Sequence, residues 1–166
     1  DQTDFNGGMH PLFRSTAEHT RDSDQVIKWI REKSNLPIWL IGMSLGTRSV
    51  AHLAVNASQA FDGMVLLSSS TNPPRGKSIV EFGLGKIKIP ALMIGHKYDG
   101  CRGTPPKGTK EIAAALKSSP KAATKIFTGG SESSRNPCFP PSNHTFYGIE
   151  NEVVRFITNF IKSNPK

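Results

Sequence analysis

The 166-residue sequence has only two cysteines, Cys101 and Cys138, and is poor in aromatics, at 8%. With neither a C-x-x-C pair nor a zinc-type spacing, two thiols exclude a thioredoxin-like redox motif, a zinc site and a cysteine-rich scaffold. No apolar segment approaches the 18 or more residues that cross a bilayer as a helix, so no membrane span is expected. G-x-G-x-x-G and the phosphate-loop lysine motif are also missing, which removes the signatures of a nucleotide-binding α/β domain. Basic residues outnumber acidic ones by 21 to 13, yet no stripe interleaves them with stacking aromatics as nucleic-acid binding requires. The densest set (Lys107, Lys110, Lys117, Lys121, Lys125) has the spacing of a solvated helix face and the strand after it, so no nucleic-acid partner is expected. The opening D-Q-T-D-F-N-G-G has no initiator Met and no basic-then-apolar leader; it reads as a cut start, any targeting segment having been removed or never included.

What is present fits one α/β domain over residues 1–166, a length sufficient for a single core. Ser15-Thr16-Ala17-Glu18 has capping-box spacing and opens a helix from about Thr16 to Lys33, with a narrow apolar stripe of Val26, Ile27, Trp29 and Ile30. Asn35-Leu36-Pro37 ends it. Ile38 to Ile41 is continuously apolar, as in a strand buried on both faces of a parallel sheet. A buried helix from Leu45 to Val55 follows. Asp62 to Leu67, Ile89 to Gly95 and Ala123 to Thr128 read as further strands. Thr104 to Ser118 reads as a helix with prolines in its first turn. The last helix runs from about Phe146 to Lys162, with Ile149, Val153, Phe156, Ile157, Phe160 and Ile161 at helical spacing. Strands alternating with helices predict a partial, doubly wound parallel sheet of about four strands.

Within this order sits Gly42-Met43-Ser44-Leu45-Gly46, a G-x-S-x-G. By chance it would occur in roughly one chain of this length in twenty. Its context gives it weight: a buried strand ends at the first glycine and a buried helix begins after the serine, so the turn would lift Ser44 above the sheet at a helix amino terminus. A serine hydroxyl needs a base, an orienting acid and oxyanion donors. Asp99 follows the strand ending at Gly95, and His144 lies between the last strand and the last helix. In a parallel sheet the carboxyl ends of the strands share one edge, so residues placed just after different strands can converge. The chain order Ser, Asp, His is the one this arrangement requires. Leu45 would supply an oxyanion donor through its backbone N–H. His52, mid-helix, and His96, at a strand end, are read as packing or surface residues; His10 and His19 are unassigned. The N-x-S/T patterns at Asn56 and Asn143 are read as coincidental.

With G-M-S-L-G, H-K-Y-D-G-C and N-H-T-F-Y-G-I-E in place, the chain resembles the carboxyl-terminal half of an α/β-hydrolase, from the helix before the nucleophile strand to the terminal helix. The resemblance implies that Ser44 is the nucleophile, that Asp99 orients the imidazole, and that His144 acts as base and then acid. It implies a serine hydrolase, of carboxylic esters in the first instance, acting on a small ester or acyl substrate through an acyl-enzyme and needing no cofactor and no metal. A peptidase or thioesterase of the same fold, and a binding protein that keeps the fold without turnover, are the alternatives.

If the triad forms, the loops bearing Asp99 and His144 lie side by side and a Cys101–Cys138 disulfide becomes geometrically reasonable; the alternative is a reduced pair. A disulfide would imply a periplasmic or secreted protein, reduced thiols a cytoplasmic one. The chain supplies about four of the eight strands of the complete fold, and the loop that gives the second oxyanion donor is missing. Asn6-Gly7-Gly8-Met9-His10 resembles that loop only superficially, and is read as one following a strand upstream. Either the chain is a fragment, active in the complete protein, or the unpaired edge of the nucleophile strand is covered by self-association. Loss of an oxyanion donor lowers turnover on the order of a hundredfold or more. Ser68 to Lys88 is too short for a helical lid, so an open, shallow site is expected.

Overall fold

Pro37 closes the link from the first helix to the sheet, and Asp62 sets where the sheet begins. Its Oδ2 accepts the Ile38 backbone N–H at 2.7 Å and pairs with the Arg31 guanidinium at 2.5 Å. One carboxylate thus ties the end of a helix, the start of one strand and the approach to the next. The computed structural model describes residues 4, 5 and 8–165. Two short strands, β1 (Asp4–Phe5) and β2 (Gly8–Met9), pair antiparallel, a hairpin the sequence patterning did not suggest. Asn6 and Gly7, part of the loop compared above with the oxyanion loop, lie outside the described residues.

Next come α1 (Ala17–Lys33), β3 (Trp39–Met43), α2 (Gly46–Asn56), β4 (Gly63–Leu67), β5 (Ala91–His96), α3 (Gly108–Ala115), β6 (Ala122–Phe127) and α4 (Glu150–Lys162). The strands β3, β4, β5 and β6 form one parallel sheet in that order, as the alternation of strands and helices predicts. Every residue of β4 and β5 is buried, and their alternation divides the core. Met64, Leu66, Ala91 and Met93 pack with Val50 and Ala51 of α2 and Ile112 of α3. Val65, Leu67, Leu92 and Ile94 pack with Val153, Ile157 and Phe160 of α4. Each such apolar side chain, when fully buried, contributes about 1.5–3 kcal/mol.

Several boundaries differ from expectation, each for a local reason. Thr16, not Ser15, caps α1, its hydroxyl accepting the His19 N–H at 3.2 Å, while Ser15 closes a preceding 3-10 turn. Ile27 is buried, but Val26 and Trp29 are 58% and 61% exposed, so only part of the apolar stripe of α1 faces the core. Pro105 and Pro106 precede α3 instead of opening it, their carbonyls accepting from Gly108 and Thr109. Phe146 and Gly148 adopt left-handed backbone (φ 57° and 86°), which delays α4 to Glu150. The strand expected to be buried on both faces is an edge: Ile41 is 52% and Met43 41% exposed. With Val154 they line a groove of about 400 Å³.

The Ser68 to Lys88 segment forms no helical lid, but neither is it a loose connection. Two 3-10 turns, Ile79–Phe82 and Leu84–Lys86, bury Ile79, Leu84 and Ile87 in the core. Arg48, 2% exposed, anchors the segment by donating from Nη1 to the Lys77 carbonyl at 2.7 Å and lying 5.3 Å from the Phe82 ring. Of the basic set, Lys107 pairs with Glu111 one turn on, and Lys121 and Lys125 lie over the rings of Phe160 and of Phe127 and Phe156. Among the described residues no helix is long and apolar enough to cross a membrane.

Candidate active site

Ser44 is the first residue after β3, and its φ of 52° is left-handed. L-residues rarely adopt this conformation and hold it only when the surroundings impose it. Here its N–H donates to the Leu67 carbonyl at 3.0 Å, and its carbonyl accepts the N–H and hydroxyl of Thr47 at 3.0 and 2.5 Å. The turn is therefore held from both sides. Of the two glycines of the motif, Gly42 is the one the packing requires: a Cβ there would lie 2.5 Å from the Gly46 carbonyl oxygen, whereas a Cβ on Gly46 would meet nothing within 4 Å. Leu45 occupies the N-cap position of α2, where backbone N–H groups lack partners within the helix.

Asp99 and His144 come together. His144 Nδ1 and Asp99 Oδ2 are 3.0 Å apart, and both side chains are 1% exposed. A carboxylate accepts, so Nδ1 carries the proton and donates, which leaves Nε2 as the acceptor atom of the ring. Nε2 is buried and has no hydrogen-bond partner among the described residues. The second oxygen, Asp99 Oδ1, accepts the Cys101 N–H at 2.8 Å. His144 lies in a 3-10 turn, Asn143–Thr145, whose entry is held by Glu132 accepting from the Asn143 backbone and side chain at 3.3 and 2.9 Å.

Two residues of this constellation escaped the sequence reading. Thr104 Oγ1 lies 3.1 Å from Asp99 Oδ2 and 3.0 Å from His144 Nδ1, bracing the acid and the base. Its one clue is its position five residues beyond Asp99, where the sequence predicts the start of a helix. Ser68, also left-handed (φ 43°), donates from Oγ to the His144 carbonyl at 2.8 Å. Met43 and Leu67 are partners in the register of β3 and β4, so Ser44 and Ser68 leave adjacent strands at the same level. The histidine turn is thereby tied next to the Ser44 turn.

Cys101 and Cys138 form a disulfide, joining the acid-bearing loop to the loop that leads to His144. His96 is fully buried, its Nδ1 accepting the Tyr98 N–H and its Nε2 bonded to the Gly129 carbonyl at 3.0 Å; it is a packing residue, as expected. His52 packs edge-on against Phe82, and burial lowers its pKa. His19 packs on Phe13, and burial followed by the neighbouring Arg14 lowers its pKa. No group of three or more metal-ligating side chains occurs among the described residues. Instead of a shallow surface, Ser44 opens onto a cavity of about 690 Å³ whose lining includes Ser70, Asn72, Pro73, Pro74, the disulfide and Phe139.

The four-stranded parallel sheet with its flanking helices is the carboxyl-terminal part of the α/β-hydrolase fold, a fold shared by the solved structures this chain superposes on. Rv0554 from Mycobacterium tuberculosis matches with a TM-score of 0.65 at 13% identity, covering 89% of this chain and 72% of that one. The esterase Pf2001 from Pyrococcus furiosus matches at 0.66 and 13% identity over 95% of this chain and 66% of its own. A monoacylglycerol lipase from Paleococcus ferrophilus matches at 0.53 and 17% identity over 86% and 76%. No family model and no curated protein matches the sequence.

Proposed function

We propose that this protein is a serine hydrolase of carboxylic esters in which Ser44, His144 and Asp99 act as nucleophile, base and orienting acid. The observation that carries the reading is the buried pair of Asp99 Oδ2 and His144 Nδ1 at 3.0 Å, with Nε2 buried and unpartnered, in a turn that Ser68 ties to the strand next to the one that leads into Ser44. Such a pairing presents a neutral imidazole with its acceptor nitrogen free and stabilises the imidazolium once it forms. Ser44 Oγ attacks the ester carbonyl carbon and its proton passes to Nε2. The oxyanion takes a hydrogen bond from the Leu45 N–H. As the carbonyl re-forms, the ester C–O bond breaks and Nε2–H protonates the departing alkoxide. Water then attacks the acyl group, again losing its proton to Nε2, and the acid leaves as Ser44 regains its hydrogen.

The esterase and lipase among the structural neighbours support hydrolysis of an ester, and the disulfide supports a periplasmic or secreted location. Hydrolysis of short-chain esters by purified protein, abolished by Ser44→Ala and lowered at least a thousandfold by His144→Ala, is the expected result. Turnover that survives Ser44→Ala would overturn the assignment. Profiling amide and thioester substrates alongside separates an esterase from a peptidase or thioesterase.

A further inference from the structure

The cavity at Ser44 has one aromatic residue in its lining. Phe139 lines it, yet the residue is 62% exposed. A lone exposed phenylalanine is ordinary; the mounting of this one is not. Its N–H donates to the Asn136 carbonyl at 3.0 Å, and the Asn136 side chain accepts the Cys138 N–H at 3.0 Å. Cys138 is bonded covalently to Cys101. Pro137, Pro140 and Pro141 fix the backbone φ on both sides of the ring, and the Pro141 carbonyl accepts from the Ser133 and Ser134 N–H groups.

Leu45, Pro73, Pro74 and Pro137 supply further apolar lining. Of the polar side chains in the lining, Asn72 spends its amide N–H on the Arg102 carbonyl at 3.0 Å, Thr104 its hydroxyl on Asp99, and Asn136 its amide oxygen on the Cys138 N–H, while Ser70 and Arg102 also line the cavity. Recognition there rests on dispersion and desolvation more than on hydrogen bonds. With its backbone fixed, the phenylalanine has only its two side-chain torsions left to order on binding, and ring-on-ring contact favours a flat partner over a puckered one of equal size.

We propose that this wall is a subsite for a planar aromatic group of the substrate, with Phe139 as its stacking platform, held in place by the disulfide that also braces Asp99. The proposal rests on the serine-hydrolase reading and names the substrate class of that site: esters bearing an aryl group on the acyl or the alcohol side.

The test uses two pairs of substrates that differ in planarity, methyl benzoate against methyl cyclohexanecarboxylate and phenyl acetate against cyclohexyl acetate. For each substrate kcat/KM is compared between the wild-type protein and Phe139→Ala, so intrinsic reactivity cancels. In at least one pair the aryl member is expected to lose about tenfold and the saturated member no more than twofold, with Phe139→Trp restoring the aryl rate. Equal losses for both members of each pair, or no rescue by tryptophan, would overturn the subsite. The same preparations are treated with an alkyl fluorophosphonate that carries no aryl group. Labelling of Ser44 without aryl selectivity overturns the subsite alone; absence of labelling overturns the hydrolase reading and the subsite with it.

Discussion

Removing the disulfide tests how the two loops bearing Asp99 and His144 are held. Cys101 and Cys138 are 37 residues apart in sequence, and closing a loop of that length in the unfolded chain is worth about 4 kcal/mol on the chain-entropy model. For a domain of this size each kcal/mol moves the melting temperature by about 2–4 °C, so a Cys101→Ala, Cys138→Ala variant should melt about 8–16 °C lower. Alanine is the replacement of choice because Cys101 is 6% exposed and a serine there would bury a new hydroxyl. Urea unfolding distinguishes the mechanism. If the bond acts by restricting the unfolded chain, the double variant exposes more surface on unfolding and its m value rises. The Cys101 N–H that donates to Asp99 Oδ1 at 2.8 Å is no longer pinned, so ester turnover at a temperature where the variant is folded should fall several-fold. A melting temperature within 2 °C of wild type, an unchanged m value and full activity would refute the reasoning and leave the hydrogen bonds alone as the frame.

Three further predictions address single residues. Thr104→Val, which keeps the shape and loses the hydroxyl braced between Asp99 and His144, should lower kcat about tenfold with KM within twofold, because a hydrogen bond to a charged group is worth about 1.5–3 kcal/mol; Thr104→Ser should recover most of the rate, and a loss carried by KM would count against a bracing role. Gly42→Ala puts a Cβ 2.5 Å from the Gly46 carbonyl oxygen and should cost about 1–3 kcal/mol in urea unfolding, while Gly46→Ala should unfold like wild type. Asp24 is buried, which raises its pKa, but it accepts from Ser58 N–H and hydroxyl and from Gln59 N–H, and the net shift is downward from 3.8. A depressed carboxylate contributes stability above its unfolded pKa and loses it as pH falls through the folded one. Asp24→Asn should therefore destabilise by about 1.5–3 kcal/mol at pH 7, with the gap to wild type closing only below about pH 3.8.

Ser44 and Asp99 were legible as residues just after short apolar strands and His144 as one in the loop between the last strand and the last helix, and a parallel sheet brings such positions to one edge. Continuous apolar runs marked β4 and β5, which are buried on both faces, but the same pattern at Ile38 to Ile41 belongs to the edge strand β3, whose exposure depends on what lies beside it. The features that were missed depend on partners distant in sequence. Thr104 is recognisable as a brace only once Asp99 and His144 lie on either side of it. Ser68 resembles any turn serine until the register of β3 and β4 sets it level with Ser44. Val26 and Trp29 complete a helical stripe on paper, yet the layer beneath α1 reaches only Ile27 and its neighbours. The late start of α4 follows from left-handed Phe146, a conformation that no propensity assigns to phenylalanine. Gly42 and Gly46 look equivalent in the motif, and only the approach of the α2 backbone tells them apart.

In the proposed mechanism Ser44 is an activated nucleophile served by the buried Asp99 and His144 pair. The most direct measurement is intact-mass analysis with peptide mapping after treatment with an alkyl fluorophosphonate. One adduct, on Ser44, formed by wild-type protein and suppressed at least a hundredfold in His144→Ala, is the predicted result. Well-folded protein that takes up no probe, or that labels equally without the histidine, would contradict it.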